Sequence, residues 1–318
     1  MVKLKRINFL ILSVITVACI FASLMAGSVK LNLIDLMTDG ENLSKTVFYN
    51  LRLPRTILCV EAAVLLSLSG TIFQLYFRNP LAEPGIMGIS AGSTLGAVLS
   101  FYFGASVSLG AVSGALLSGI LVTVLSVKLN RLSASALLLC GTAAGTFYSS
   151  LTSIILTTDS KKLGVMYLWM IGSFNGREWQ QVAMVTVMGT VSVFIAIICA
   201  RKLELLNGGE ETAFSLGLNV KLLRAAVITS GSLGTAAAVC AGGTIGFVGL
   251  IAPHIARKIF GEKSGVIMVT GAFTGTVLLT LSDILCRTVI APSELPVGMV
   301  TAVLGVPFFI SILAAKNR

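Results

Sequence analysis

The side chains able to perform covalent or metal chemistry are few in this sequence and stand far apart. One histidine, His254, and six cysteines occur among 318 residues, and no two cysteines form a CxxC pair. The sequence also lacks GxxxxGKS/T and HExxH, the patterns that cradle nucleotide phosphates or bind zinc. We therefore predict no catalytic residue, no metal site and no cofactor bound by this chain.

Charged side chains, by contrast, form two arrangements near apolar stretches. Arg52 and Arg55, in the segment LRLPR, stand just before a long apolar stretch. They either anchor a helix at the membrane interface or form a docking patch for an acidic partner. Asp283 and Arg287 are four residues apart, so they can pair on one face of a helix.

A polar connection at 201–224 separates two apolar stretches. Glycines at 208–209 can turn the chain, and Glu210 suits the N-terminus of a helix. The apolar side chains within 213–216 form a small face, and Gly217 can end a helix. We predict two short surface helices here, with a solvated loop as the alternative.

Composition identifies lipid as the solvent for most of the chain. Apolar residues make up 55% of the sequence and charged residues 11%, whereas a soluble domain carries about 25% charged residues. Seven stretches approach the roughly 20 apolar residues that span a bilayer, and three more are shorter or interrupted. We predict an all-α membrane protein, a single domain over 1–318, with about ten transmembrane helices in a compact bundle at 7–27, 56–77, 85–103, 109–127, 134–157, 180–200, 222–241, 244–260, 266–290 and 296–315.

Proline and glycine interrupt this apolar pattern. Pro80 and Pro84 end a helix between the second and third predicted spans. The stretch 243–257 predicts a broken helix, since non-helical backbone persists at membrane depth only where protein or a cavity satisfies it. GxxxG spacing at 92–96 and 110–114 predicts close helix packing.

The distribution of basic residues predicts how the chain crosses the membrane. With ten spans, both termini lie on one side, which then carries fifteen of the 23 Lys and Arg residues. Positive charge collects in cytoplasmic loops, so both termini and residues 201–221 are predicted to be cytoplasmic. The same rule accounts for the net charge of +10 without nucleic acid, because no basic cluster contains interleaved aromatic residues.

Five segments in this order resemble the FecCD-type permeases over nearly the whole chain. They are LRLPR (51–55), SGTIFQLYFRNPLAEPGIMGISAG (69–92), GEETAFSLG (209–217), GTIGFVGLIAPHIAR (243–257) and ELPVGMVTAVLGVPFF (294–309). Members of this family are membrane subunits of ATP-driven (ABC) importers for iron-siderophores, haem and vitamin B12. The resemblance implies a second permease copy or close paralogue, two cytoplasmic ATPase subunits that bind ATP and Mg, and an extracytoplasmic solute-binding protein.

The resemblance also implies roles for three groups of residues. The coupling helices that receive the ATPase would comprise Gly208, Gly209, Glu210, Glu211, Thr212, Ala213, Phe214, Ser215, Leu216 and Gly217. The binding protein would dock on an outer basic rim formed by Arg52, Arg55 and Arg287. The translocation path, along the axis of a dimer, would be lined by Asn79, Pro80, Leu81, Pro84, Gly88, Ser90, Gly92, Pro296 and Gly298.

The sequence therefore predicts the permease subunit of an ATP-driven importer, without an ATPase site of its own, in the cytoplasmic membrane of a bacterium. Ferric siderophore is the expected cargo, with haem and cobalamin as alternatives. An ion-gradient-driven secondary transporter is the main rival, disfavoured by the scarcity of acidic residues deep in the spans. A membrane-embedded enzyme would need a catalytic cluster that the sequence does not supply.

Overall fold

A computed structural model describes residues 2–27, 29, 42–128, 134–158, 164, 166–167, 169–206 and 208–316. The regular structure of these residues is helical. In chain order the helices are α1 (Val2–Met25), α2 (Leu43–Thr46), α3 (Leu53–Phe77), α4 (Ile89–Tyr102), α5 (Val107–Lys128), α6 (Ala134–Thr158), α7 (Trp179–Leu206), α8 (Glu210–Ser215), α9 (Val220–Gly242), α10 (Val248–Phe260), α11 (Ser264–Thr288) and α12 (Val297–Lys316). A π-helical turn, Val47–Arg52, joins α2 to α3.

The long helices have the length and composition of membrane spans. In the described part of the chain, seven segments are long and apolar enough to cross a bilayer: Lys5–Met25, Leu43–Phe77, Val107–Leu125, Leu138–Thr158, Trp179–Leu206, Val220–Gly242 and Ser264–Thr288. The helices α4, α10 and α12 occupy the three shorter predicted positions. A helix thus lies at each of the ten predicted spans, and the predicted all-α membrane fold is confirmed.

The core of the bundle is built around α3. This helix packs against α7, α9, α10 and α11. In the span that contains α3, and likewise in α9, 78% of the most apolar 18-residue stretch is buried inside the protein. The corresponding share is 17% in α1 and in α6, which therefore lie at the periphery. Small side chains on α3, including Ala62 and Ala63, are fully buried and let its neighbours approach closely.

Glycine provides the closest contacts between α4 and α5. A Cβ added to Gly96 would overlap the carbonyl oxygen of Gly110, and one added to Gly114 would overlap that of Gly92. Lipid supplies no hydrophobic drive between helices, so close contact through small residues is a main source of attraction. The packing role predicted from the GxxxG spacing is confirmed for these two pairs.

The predicted break within 243–257 lies between α9 and α10. Helical geometry ends at Gly242, after which Gly243 has a φ of +74° and Phe247 a φ of +66°. The Ser173 N–H donates to the Gly242 carbonyl at 2.8 Å, and the Thr244 hydroxyl donates to the Met170 carbonyl. Neighbouring chain segments therefore satisfy polar groups of this non-helical backbone, as the membrane setting requires.

Polar contacts distinguish the two ends of the bundle. At one end, here called the α8 end, Arg78 donates to the carbonyl of Leu206, and Lys5 lies beside Gly261. At the opposite end, here called the arginine end, Arg52 and Arg287 reach the C-terminus of α1. Each end carries one of the groups of residues singled out in the sequence.

Candidate functional site

The segment predicted to receive the ATPase folds as a short, well-terminated helix at the α8 end. Gly209 precedes α8 with a φ of +110°, and Gly217 follows it with a φ of +81°. The Gly217 N–H donates to the Phe214 carbonyl at 2.9 Å, and the Leu218 N–H donates to the Ala213 carbonyl at 3.0 Å. This pair of bonds is a Schellman motif, so the prediction that Gly217 ends the helix is confirmed.

The Schellman motif also decides which side chains of α8 face outward. Leu218 folds back onto the helix, and both Leu218 and Ala213 lie in the hydrophobic core with Leu206 of α7. Phe214 is 75% exposed and Leu216 is 64% exposed. The prediction that Ala213 belongs to an exposed apolar face is therefore wrong, and the exposed apolar pair is Phe214 and Leu216.

The described residues of the connection between α7 and α9, 208–219, contain one short helix where two were predicted. Residues 201–206 continue α7, and the next long helix already begins at Val220. Residues 201–206 are helical despite their polar composition because they continue the membrane-spanning helix α7. Their leucines, Leu203 and Leu206, pack in the hydrophobic core. The side chains of Glu210 and Glu211 lie outside the described part of the structure.

At the arginine end, two of the predicted docking arginines belong to an internal ion-pair network. Arg55 pairs with Asp283 at 2.8 Å and with Glu294 at 2.9 Å. Arg287 pairs with the same Asp283 at 2.9 Å, so the i,i+4 pair predicted from the sequence is confirmed. Asp283 is fully buried, and a buried carboxylate requires such partners.

Arg52 and Arg287 also complete the C-terminus of α1. The last carbonyl groups of a helix have no partner within it. Arg52 donates to the carbonyl groups of Leu24 and Met25, and Arg287 donates to that of Ser23 at 3.0 Å. A positive charge at this position also interacts favourably with the helix dipole.

The prediction that Arg52, Arg55 and Arg287 form an exposed basic rim is wrong. Their exposed fractions are 5%, 8% and 3%. The three residues do come together, but carbonyl oxygens of α1 and carboxylates at 283 and 294 already accept their hydrogen bonds. Docking of a binding protein at this end stays a prediction.

The residues predicted to line a path lie at both ends of the bundle. Asn79, Pro80, Leu81 and Pro84 form the turn between α3 and α4 at the α8 end, where the Asn79 side chain accepts a hydrogen bond from the Leu81 N–H at 3.0 Å. Ser90 follows in the first turn of α4. Two further path residues, Pro296 and Gly298, lie at the start of α12 near the arginine end.

Three of the path glycines lie in close backbone packing. A Cβ on Gly88 would lie 2.6 Å from the carbonyl oxygen of Gly141, and one on Gly92 would lie 2.5 Å from Ser118 Cβ. Gly298 approaches the carbonyl of Thr244 in the same way. Both Gly88 and Gly92 are buried between helices of the same chain, and their place along a translocation path stays a prediction.

A row of hydroxyl groups on α6 was missed in the sequence. Its members are exposed, and each donates to a carbonyl three or four residues earlier in the helix, at 2.7–3.0 Å: Thr142, Thr146, Ser150, Ser153 and Thr157. We call these residues the hydroxyl stripe. The recurrence of Ser and Thr at helical spacing was the available signal. Within the described residues, no three His, Cys, Asp or Glu side chains could hold a metal ion.

Comparisons with known proteins agree with this architecture. The model of the FecCD transport family matches residues 15–315. The cobalamin import system permease protein BtuC of Halobacterium salinarum is 33% identical over 86% of this chain and 75% of that protein. The Fe(3+)-citrate import system permease protein YfmD of Bacillus subtilis is 33% identical over 99% of this chain and 96% of that protein.

A solved structure described as an ABC transporter of the metal-chelate type superposes on the fold. The TM-score is 0.84 at 29% sequence identity, covering 96% of this chain and 97% of that one. A family match over nearly the whole chain, on a fold that superposes this closely, makes this chain a member of the FecCD transport family, the permeases of ABC importers.

Proposed function

We propose that this permease is driven by a separate ATPase subunit that docks on Phe214 and Leu216 at the α8 end. The observation that carries the proposal is the exposure of these two large apolar side chains, one on α8 and one at its C-cap, where the helix is otherwise firmly anchored. An isolated exposed apolar residue needs no explanation, but Phe214 on the capped six-residue helix and Leu216 directly after it form a compact contact surface. The polar neighbours Thr212 and Ser215 are exposed beside them, as is typical of the rim of a protein interface.

The anchoring of α8 supports a mechanical role. Ala213 and Leu218 share one hydrophobic core with Leu203 of α7 and Leu223 of α9. Packed cores transmit displacement because they are dense and have few voids. A push on Phe214 by a closing ATPase pair would therefore move the ends of α7 and α9 together. Alternation between two packings of the bundle then exposes the path to each side of the membrane in turn.

The charge distribution supports a cytoplasmic location for the α8 end. The chain here carries basic residues on the ends of α7, α9, α10 and α11, namely Arg201, Lys202, Lys221, Arg224, Arg257, Lys258 and Lys263. Positive residues near the ends of spans favour the cytoplasmic side. Both termini are then cytoplasmic in a bacterial cytoplasmic membrane, ATP and Mg are bound by the ATPase, and a solute-binding protein delivers cargo to the arginine end.

The hydroxyl stripe supports a path along α6. Its hydroxyl oxygens are tied to the helix backbone, yet they retain lone pairs that can accept hydrogen bonds from water or a passing ligand. Most of α6 is exposed in the single chain, so a second copy facing it would enclose a weakly polar passage. A lining of this kind suits a large ligand that is bound mainly by the delivery protein.

We propose a ferric siderophore as the cargo. Relatives are named for cobalamin, Fe(3+)-citrate, hemin and iron(3+)-hydroxamate import, and three of these four are iron compounds. The structural relative of the metal-chelate type supports the same choice. Uptake of a radiolabelled ferric hydroxamate, compared with cyanocobalamin and hemin in the presence of the cognate delivery protein, tests it. Faster uptake of either competitor would assign the cargo otherwise.

The coupling proposal is tested with the double variant Phe214→Asp, Leu216→Asp. The matched control is Leu43→Asp, which changes a leucine that is 71% exposed at the opposite end. In proteoliposomes with the ATPase, we expect the double variant to insert normally but to lose ligand-stimulated ATP hydrolysis and uptake. The control should keep both activities.

Wild-type rates in the double variant would remove the coupling assignment. Uptake that persists without the ATPase and stops when an ionophore dissipates the ion gradients would instead support an ion-driven carrier. The family match argues against that result, because its members are ABC permeases.

A further inference from the structure

A pocket of about 180 Å³ at the arginine end collects more positive charge than it compensates. Among the described residues, four guanidinium groups and one carboxylate line it, from Arg52, Arg55, Arg177, Arg287 and Glu294. The carboxylate of Asp283 lies behind the pocket between two of these arginines. In the part of the chain that the structure describes, four positive groups against two negative ones leave an excess of two positive charges in a partly enclosed space.

The excess charge belongs to Arg52 and Arg177. Arg55 and Arg287 share the carboxylates of Asp283 and Glu294. Arg52 is neutralised by no carboxylate among the described residues, but its terminal nitrogens donate to the carbonyl groups of Leu24 and Met25 in α1 and to that of Val29. Arg177 therefore remains as the guanidinium with both charge and hydrogen-bonding capacity to spare.

The Arg177 side chain has a buried donor without a partner. One terminal nitrogen donates to the Ser173 carbonyl at 3.1 Å, whereas the Nε–H is shielded from solvent and meets no acceptor in the described part of the chain. Burial lowers the pKa of this guanidinium, as expected for a cation that lacks a compensating charge. A buried unsatisfied donor in a native protein calls for an explanation, and an ion or water is the usual one.

The segment that carries Arg177 is held firmly against the pocket. Phe174 is 1% exposed, and Gly176 takes a left-handed turn with a φ of +66°. The Trp179 indole N–H donates to the Tyr49 carbonyl at 3.1 Å, which ties the start of α7 to the π-helical turn. A receptor site needs this kind of preorganisation.

The walls of the pocket indicate the class of ligand. Ala26, Val47, Leu51 and Phe174 add apolar surface beside the guanidinium groups. Arginine presents a planar fork of donors that matches a carboxylate, and the apolar walls suit the short carbon chain that a carboxylate carries. We propose that this pocket binds a small soluble carboxylate and that Arg177 is the residue that receives it.

The test measures thermal unfolding of the purified full-length chain in detergent, without ATPase or delivery protein. Sodium citrate and sodium acetate are the probes, and sodium chloride at equal ionic strength is the control. We expect a saturable rise in Tm of about 3 °C with at least one probe. Arg177→Gln should abolish the rise, Arg177→Lys should weaken it, and the exposed Arg201→Gln should preserve it.

A tethered carboxylate gives an independent arm should Arg177→Gln fail to fold. Leu51 lines the pocket and is 57% exposed. The variant Leu51→Glu should have a higher Tm than wild type without any added anion and should no longer respond to the probes. The isosteric Leu51→Gln should show neither effect.

Equal responses to carboxylate and chloride in the wild type would overturn the proposal, as would an undiminished response in Arg177→Gln. If Leu51→Gln loses the rise in Tm as well as Leu51→Glu, the loss reflects the shape of the new side chain rather than its charge. That result would also overturn the proposal. Because binding by the isolated chain requires no ATPase, the result is independent of the coupling proposal.

Discussion

The two ends of the bundle stabilise their functional surfaces in opposite ways. At the arginine end, ion pairs of 2.8–2.9 Å join Arg55, Asp283, Arg287 and Glu294 inside the protein. At the α8 end, a short helix is fixed by backbone hydrogen bonds and buried aliphatic side chains. The charged residues that stand out in the sequence therefore stabilise the fold. The short helix α8, by contrast, leaves its largest apolar side chain, Phe214, exposed to solvent.

The largest expected effect comes from breaking the network at the arginine end. Arg287→Ala leaves Asp283 with one partner and removes a hydrogen-bond donor from the end of α1. Removing one partner of a buried ion pair costs about 3–5 kcal/mol, which we expect as a loss in the free energy of unfolding measured in mixed micelles. The exposed Arg201→Ala should change that free energy by less than about 0.5 kcal/mol. Equal losses in the two variants would contradict the distinction between the ends.

A smaller loss is expected when the anchor of α8 is overpacked. Ala213 is fully buried, so Ala213→Trp should lower the free energy of unfolding by about 3 kcal/mol. Phe214→Trp, on the adjacent exposed position, should change it by less than about 0.5 kcal/mol. Chemical unfolding of both variants under one condition gives the comparison. If Ala213→Trp leaves the free energy of unfolding unchanged, residue 213 lies on the exposed face predicted from the sequence.

A buried acid at the α8 end, Glu83, should make the free energy of unfolding depend on pH. Glu83 lies in the turn between α3 and α4 at the α8 end, and burial raises the pKa of its carboxyl from 4.5 to about 7. Between those values the native state holds a proton that the unfolded chain has released, so the free energy of unfolding falls as the pH rises from about 5 to 7.

Glu83→Gln should remove this dependence. At pH 8 the variant should be more stable than wild type by about 2 kcal/mol, a figure reduced for partial solvent screening. At pH 4 the two proteins should be equally stable. Parallel pH profiles for variant and wild type, followed by unfolding in buffered detergent, would show that this carboxyl ionises normally.

The smallest effect on stability should accompany a selective loss of coupling. Gly217 has a φ of +81° and open space where a side chain would project. Gly217→Val therefore meets only backbone strain, about 1–2 kcal/mol, and loosens the end of α8. Gly217→Asn, which tolerates the left-handed region, is the matched control. We expect the valine variant to insert normally and lose ligand-stimulated ATP hydrolysis, and the asparagine variant to retain it. Normal coupling with valine would mean that the end of α8 does not transmit force.

The sequence predicted the helices well because a span is a local property of about 20 consecutive residues. It also predicted the termination of α8 at Gly217 and the pairing of Asp283 with Arg287, since both depend on residues within one or two turns. It failed for 201–206, whose polar composition resembles a loop although α7 continues through it. The hydroxyl stripe was visible in the sequence as Ser and Thr at helical spacing. Only the structure showed that these side chains are exposed on one face of α6.

The sequence by itself determined that lipid surrounds most of this protein, and it determined the helical class, the family and the positions of the spans. These properties depend on composition, periodicity and the order of motifs, all of which can be read along the chain. Only the tertiary structure decided which charges on different helices compensate one another and which side chains around α8 are exposed. Arg55 and Asp283 are 228 residues apart in the chain, and Ala213 is buried because α7 and α9 close over it. These partners are not neighbours in sequence, so neither the pairing of Arg55 with Asp283 nor the burial of Ala213 could be assigned before the helices were packed.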